Sequence, residues 1–316
     1  MLHKIKTIVI GFEPLVEKSF HLEQCLNSLK WFGDDEIKIH FLGVVNPDDL
    51  GIPGNLDDAN WFNQIKERAE TDLERRLSLS KKLIKYEVNL LVQCESSKSK
   101  SVKLFLDFAA KVNADLLILH SHTKLSFKSA LGSFCDSLVD LSWIPVLVLP
   151  FEKTVSAKIK TILFPTDFSG LSQRVFEELV LWVDKLSLKI ALYHRVSLPI
   201  DEILQIAMHP IESKIVLPSD FVMMTKTEVQ QKANEWVAWA RQRNCEVDFK
   251  MNSEKLTLPA AILNQIESRK LDLIVLPSHT SQRSVMSFRS VSKHILREAE
   301  IPVIVIPVAY IPPGDF

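Results

Sequence analysis

Two tripeptides in this chain are identical, Ser121-His122-Thr123 and Ser278-His279-Thr280, 157 residues apart. Hydroxyls donate and accept hydrogen bonds and an imidazole titrates near neutrality, so such a group suits a pocket for a small polar ligand. The plainer reading is that Ser or Thr satisfies loop backbone groups, as in a cap or turn. His120 and His122, at i and i+2, would face one way on a strand, as a metal pair does. Zinc takes three or four ligands, and no third candidate is apparent. The second copy has Pro277 where His120 stands, so no metal site is expected. The remaining acidic candidate is PTDFSG, where Asp167 beside Thr166 either meets a ligand or caps a helix. No Ser/His/Asp constellation, paired carboxylates or complete phosphate loop occurs elsewhere, so no catalytic residue is expected.

Each tripeptide follows an Asp and an apolar run, ADLLILH before the first and LDLIVLP before the second. The repetition extends further. IKTIVIGFEP from Ile5 matches IKTILFPTDF from Ile159, and IPVLVLP from Ile144 matches IPVIVIP from Ile301. Matching order at a nearly constant offset marks a duplication. The predicted units are residues 1–152 and 158–316, separated by the polar stretch after Pro150. Each holds five short apolar runs rich in β-branched residues, the pattern of strands buried on both faces. The runs alternate with helical patterns such as VFEELVLWVDKL and KANEWVAWARQR. The expected fold is therefore α/β, with two mostly parallel five-stranded sheets covered by helices on both faces. The last strands, opened by Pro145 and Pro302, are apolar edges that invite a partner strand. Their pairing with each other would make the chain a pseudo-dimer.

A length of 316 residues suits two domains of about 150. With 38 Lys and Arg against 39 Asp and Glu, the net charge of -1 offers no field for nucleic acid or an anionic membrane. The basic stretch Lys98, Lys100 and Lys103 reads as a solvated turn leading into a helix. Four cysteines, Cys25, Cys94, Cys135 and Cys245, form no CxxC pair and suit a reducing cytosol. The opening residues do not read as a signal peptide, and no apolar run approaches the about 18 residues of a membrane span. A cytoplasmic protein is expected. The six tryptophans mostly fall on apolar helical positions and read as core.

PTDFS from Pro165, SVSKHILREAEIPVIVIP near the end and LGSFCDSLVDLSWIPVLVLP at the close of the first repeat together resemble the universal stress protein family in its tandem form. The resemblance covers nearly the whole chain. It implies two Rossmann-like domains of the adenine nucleotide alpha hydrolase type. Many members bind ATP; others lack it and act as stress-responsive regulators. The binding type has an Asp after the first strand for the adenosine end, then Gly-x-x-Gly, nine residues and Gly-Ser or Gly-Thr after the fourth strand. Glycines allow close backbone approach and positive φ, and helix-start N–H groups meet the phosphates.

Carried onto this chain, the motif is kept in pieces. In the first repeat Glu13 takes the Asp position, and His120 and Thr123 take those of the leading glycines. Gly132-Ser133 closes the motif after eight residues. In the second repeat Asp167 is kept, Pro277 and Thr280 replace the glycines, and Arg289-Ser290 replaces Gly-Ser. Pro277 has no N–H and cannot reach positive φ. The candidate second pocket is Thr166, Asp167, Ser278, His279, Thr280 and Ser290; the first, degenerate, is Glu13, Ser121, His122, Thr123, Gly132 and Ser133. What the resemblance implies is a cytoplasmic stress-response protein, not an enzyme, that binds an unidentified protein partner or small ligand. ATP or another adenine nucleotide is not the favoured cofactor. The alternative is an ATP-binding switch with slow hydrolysis centred on Asp167 and the Ser278–Thr280 loop. A homodimer is left open.

Overall fold

The computed structural model describes residues 5–12, 22–32, 37–45, 63–64, 66–68, 70–71, 74–75, 86–92, 98–121, 132–150, 153–183, 188–195, 226–252, 256–278 and 286–307. The first half supplies strands β1 (Thr7–Gly11), β2 (Lys38–Val45), β3 (Tyr86–Val92), β4 (Leu116–His120) and β5 (Val146–Leu149). The second supplies β6 (Thr161–Pro165), β7 (Lys189–Arg195), β8 (Glu246–Asn252), β9 (Leu273–Ser278) and β10 (Val303–Pro307). The helices are α1 (Leu22–Leu29), α2 (Lys98–Lys111), α3 (Gly132–Leu141), α4 (Gly170–Val183), α5 (Lys226–Arg241), α6 (Leu258–Arg269) and α7 (Met286–Glu298). The basic residues Lys98, Lys100 and Lys103 lie within α2 itself rather than in a turn before it.

The ten described strands form one sheet in the order β3-β2-β1-β4-β5-β10-β9-β6-β7-β8. Neighbours within each half run parallel; β5 and β10 run antiparallel, pairing Val148 with Val303, Leu147 with Ile304 and Val146 with Val305. The apolar runs IPVLVLP and IPVIVIP thus cover each other's edge, as their sequences invite. The order 3-2-1-4-5 recurs in each half, so β5 and β10 meet across a pseudo-two-fold axis at Leu147 and Ile304.

Strand side chains alternate between two apolar layers. Ile8, Ile10, Leu116, Ile118, Leu147 and Leu149 face α1, α4 and α5; Val9, Leu117, Leu119, Val146 and Val148 face α2, α3, α6 and α7. Each layer runs unbroken from one half into the other. Phe32, in a short 3-10 turn after α1, stacks on Trp182 of α4 at 5.5 Å, and Trp182 Nε1 donates to the Trp31 carbonyl at 3.2 Å. Trp31, Trp182 and Trp236 are core as expected; Trp143 is not, standing 42% exposed in the bend before β5.

Two devices hold the strand ends. The aspartate that opens each repeated motif is a clamp: Asp115 Oδ2 accepts from the Lys6 and Thr7 N–H groups, both at 2.9 Å. Asp272 Oδ2 does the same for Lys160 (2.8 Å) and Thr161 (3.0 Å). Charge-assisted bonds of this kind are among the stronger ones. The connection between halves is likewise tied down. Gln24 Nε2 donates to the Lys153 carbonyl, Asn27 Nδ2 to Val155 and Trp31 Nε1 to Ser156, at 2.8, 3.2 and 3.0 Å. Val155 is buried beneath it.

Candidate functional site

Parallel α/β sheets gather ligand residues at the carboxyl ends of their strands. In the second half β9, β6 and β7 are neighbours, so Ser278, the Thr166–Asp167 turn and His194 emerge along one edge. Thr166 is buried and its N–H donates to the Tyr193 carbonyl at 2.9 Å. Its hydroxyl accepts from the Phe168 N–H at 2.9 Å. Asp167 Oδ1 accepts three bonds: from Ser169 N–H (2.9 Å), Ser169 Oγ (2.7 Å) and Ser172 Oγ (2.5 Å). Ser169 Oγ in turn accepts from the Ser172 N–H at 3.2 Å. Ser169 is thus the N-cap of α4, its hydroxyl accepting from the N3 backbone, while Asp167 accepts from the N–H two residues on, as in an Asx turn, and braces the cap hydroxyl.

Between Asp167 and Ser169 stands Phe168, with φ of 56°. That left-handed conformation costs a residue with a side chain about 1 kcal/mol or more. It is held by the Thr166 bond and by burial of the ring, whose neighbours are Trp236 (5.0 Å), His194 (5.4 Å) and Phe249 (5.8 Å). His194 Nδ1 lies 2.8 Å from the Thr166 carbonyl. A carbonyl only accepts, so Nδ1 carries the proton. Burial pushes the His194 pKa down, opposed by the Thr166 bond and then by Asp167, and the ring is held toward its neutral form.

This arrangement does not make a nucleophile. In a hydrolase triad an imidazole stands between the hydroxyl and the carboxylate and takes the proton. Here both serine hydroxyls donate directly to Asp167, and His194 is turned to a backbone carbonyl. The chemistry on offer is hydrogen bonding from a buried, pre-set turn.

In the first half, Ser121 follows β4 and its N–H donates to the Leu149 carbonyl at 2.7 Å, extending the β4–β5 ladder. His120 Nε2 lies 3.8 Å from Cys25 Sγ. Burial drives the Cys25 pKa well above the ordinary thiol value, so the thiol beside this imidazole stays protonated. Among the described residues no group of three His, Cys, Asp or Glu is placed to hold a metal ion. No described helix is long and apolar enough to cross a membrane.

Thr166, Asp167 and Ser278 thus stand at the carboxyl ends of the neighbouring strands β6 and β9, and the turn is packed by two residues that sequence reasoning missed, Phe168 and His194. His194 carries no local signal; only the register of β6 on β7 puts it beside the turn. Gly132 and Ser133 open α3 and Ser290 lies in α7, without described side chains. Glu13, His122, Thr123, His279 and Thr280 lie outside the described residues.

A family model described as the universal stress protein family matches residues 15–150 and again 158–307. Among solved structures, a universal stress protein from Archaeoglobus fulgidus DSM 4304 is similar over 95% of this chain and 96% of its own, at 21% identity and a TM-score of 0.66. A universal stress protein from Lactobacillus plantarum covers 47% of this chain and 98% of its own, at 18% identity and a TM-score of 0.32. Another, solved in complex with cAMP, covers 47% and 98%, at 14% identity and a TM-score of 0.30. No curated protein matches. Two successive matches to one family model, spanning most of the chain, show that the chain belongs to the universal stress protein family.

Proposed function

We infer that the chain serves the stress response by binding a protein partner or a small ligand in the cytoplasm, without turnover of its own. The observation that carries this reading is the state of Asp167. Its Oδ1 already holds three donors of its own chain, and a carboxylate engaged in bracing its own turn is poorly placed to hold an adenosine as well. Pro277 supports the same reading, since it lies inside β9 where a phosphate loop would need a flexible backbone and an N–H. The serine hydroxyls, fixed as donors to Asp167, argue against activation of a nucleophile. Cys25, Cys135 and Cys245 are buried and joined in no disulfide, in keeping with a reducing compartment.

Equilibrium dialysis against Mg-ATP, with phosphate release followed in parallel, tests this. No saturable nucleotide uptake and no phosphate release are expected of the wild-type chain. Saturable uptake that Asp167→Ala abolishes, with slow phosphate release, would replace this reading with a nucleotide switch.

A further inference from the structure

The two halves meet through strands that cannot tell each other apart. Val146–Leu149 reads VLVL and Val303–Pro307 begins VIVI, and the pairing is centred on Leu147 and Ile304. At a two-fold contact of this kind the same patch serves both sides, so residue i meets j of the partner and j meets i. Nothing in these apolar strands would stop β5 from meeting β5 of a second copy, or β10 meeting β10.

The helices that flank this contact differ in the one property that could decide. Asp136 of α3 pairs with Arg297 of α7, and Asp140 pairs with Lys293 at 2.7 Å. Lys293 and Arg297 stand 157 residues after Asp136 and Asp140, which makes them their counterparts in the repeat. The charges are therefore reversed at equivalent positions. If two first halves met, Asp136 would face Asp140 of the other copy, twice. If two second halves met, Lys293 would face Arg297, also twice. Only the first half against the second gives two opposite-sign pairs. The aspartates are the more enclosed partners, with side chains 9% and 15% exposed, so a like-charge meeting would be poorly screened there. A further cross-half pair, Lys153 with Glu300, is solvated on both sides and contributes little to the choice.

We propose that Asp136, Asp140, Lys293 and Arg297 form a pairing code: the face made by α3 and β5 accepts the face made by α7 and β10 and rejects a copy of itself. Specificity of this kind comes from the repulsion built against the wrong partner as much as from attraction to the right one. The duplicated chain thereby closes on itself through a surface that would otherwise join like halves of separate molecules.

Three full-length variants test the code. Asp136→Lys with Asp140→Arg makes both faces basic; Lys293→Asp with Arg297→Asp makes both acidic; the combination of all four exchanges the signs. Each double variant should melt below the wild type, and the four-fold variant should recover most of that loss. When the two double variants are unfolded, mixed in equal amounts and refolded, native mass spectrometry should find the mixed dimer in about tenfold excess over either like dimer. The proposal is overturned if the double variants melt with the wild type, or if the mixed dimer appears only in the statistical proportion. Should the double variants fail to fold alone, the four-fold variant decides: recovery of the fold supports the code and failure overturns it.

Discussion

At the scale of residues, the turn from Thr166 to Ser172 ties fold and site together. Asp167→Ala should cost about 1–3 kcal/mol in urea denaturation, because it leaves the partly buried Ser169 N–H unpaired, and Asp167→Asn less because the amide oxygen still accepts. His194 and His40 add a pH dependence. Burial is the first cause in both and lowers the pKa below 6.5, while Asp167 and Glu87 respectively push the other way. A lowered folded-state value means that the unfolded chain binds more protons just below 6.5. Stability should therefore fall as pH drops from about 7 through 6.5, and level off once the folded-state values are passed. Urea midpoints across that range check it, and His194→Gln should flatten part of the slope; a flat wild-type profile would contradict the burial argument. The thiols offer a third check. Burial, with Asp136 adding to it, pushes Cys135 up to about 12, and Cys25 goes higher still. Neither should alkylate at pH 8 until denaturant is added, because the thiolate is the reacting species. What the sequence made readable here was uneven. That a cap stands in PTDFSG follows from local spacing, although it falls on Ser169 and not on Asp167, which braces it. The left-handed backbone of Phe168 and the approach of His194 do not, because one is a tertiary compromise and the other depends on strand register.

At the scale of elements, the repeated Asp before β4 and β9 has a task remote from the ligand edge. It closes the amino ends of β4 on β1, and of β9 on β6, by accepting two backbone N–H groups each. Asp115→Ala and Asp272→Ala should each destabilise by about 1–3 kcal/mol, since each leaves one partly buried threonine N–H unpaired and one exposed lysine N–H to water. Thermal or urea unfolding reads this, and near-neutral substitutions would refute the clamp. The sequence displayed both aspartates as part of the repeat without displaying their partners, which lie 108 and 111 residues away at the threonines. Strands were the more legible elements. β5 and β10 are apolar on both faces because both faces are covered, and that is a signal carried by composition alone. The tie between α1 and the connecting stretch was hidden, since Gln24, Asn27 and Trp31 bond to backbone carbonyls that any sequence would offer.

At the scale of the whole molecule, duplication has turned two five-stranded sheets into one. The join is apolar strand on apolar strand, reinforced on one face by Phe32 against Trp182 and on the other by the charged pairs between α3 and α7. Placing a charge on the axis, as in Ile304→Lys, should therefore disrupt the layer that Ile304 shares with Leu147 and with α1, α4 and α5. Its unfolding should show two separated transitions where the wild type shows one, because a buried unpaired charge is among the most costly changes to a core. The binding reading also belongs to this scale, since it concerns what the assembled chain carries rather than what one side chain does. Its most direct test is native mass spectrometry of gently purified wild-type protein, with and without added Mg-ATP. The account predicts no adduct of nucleotide mass under either condition. A nucleotide adduct that disappears in Asp167→Ala would contradict it, and would mean that the capped turn at Asp167 still holds an adenosine.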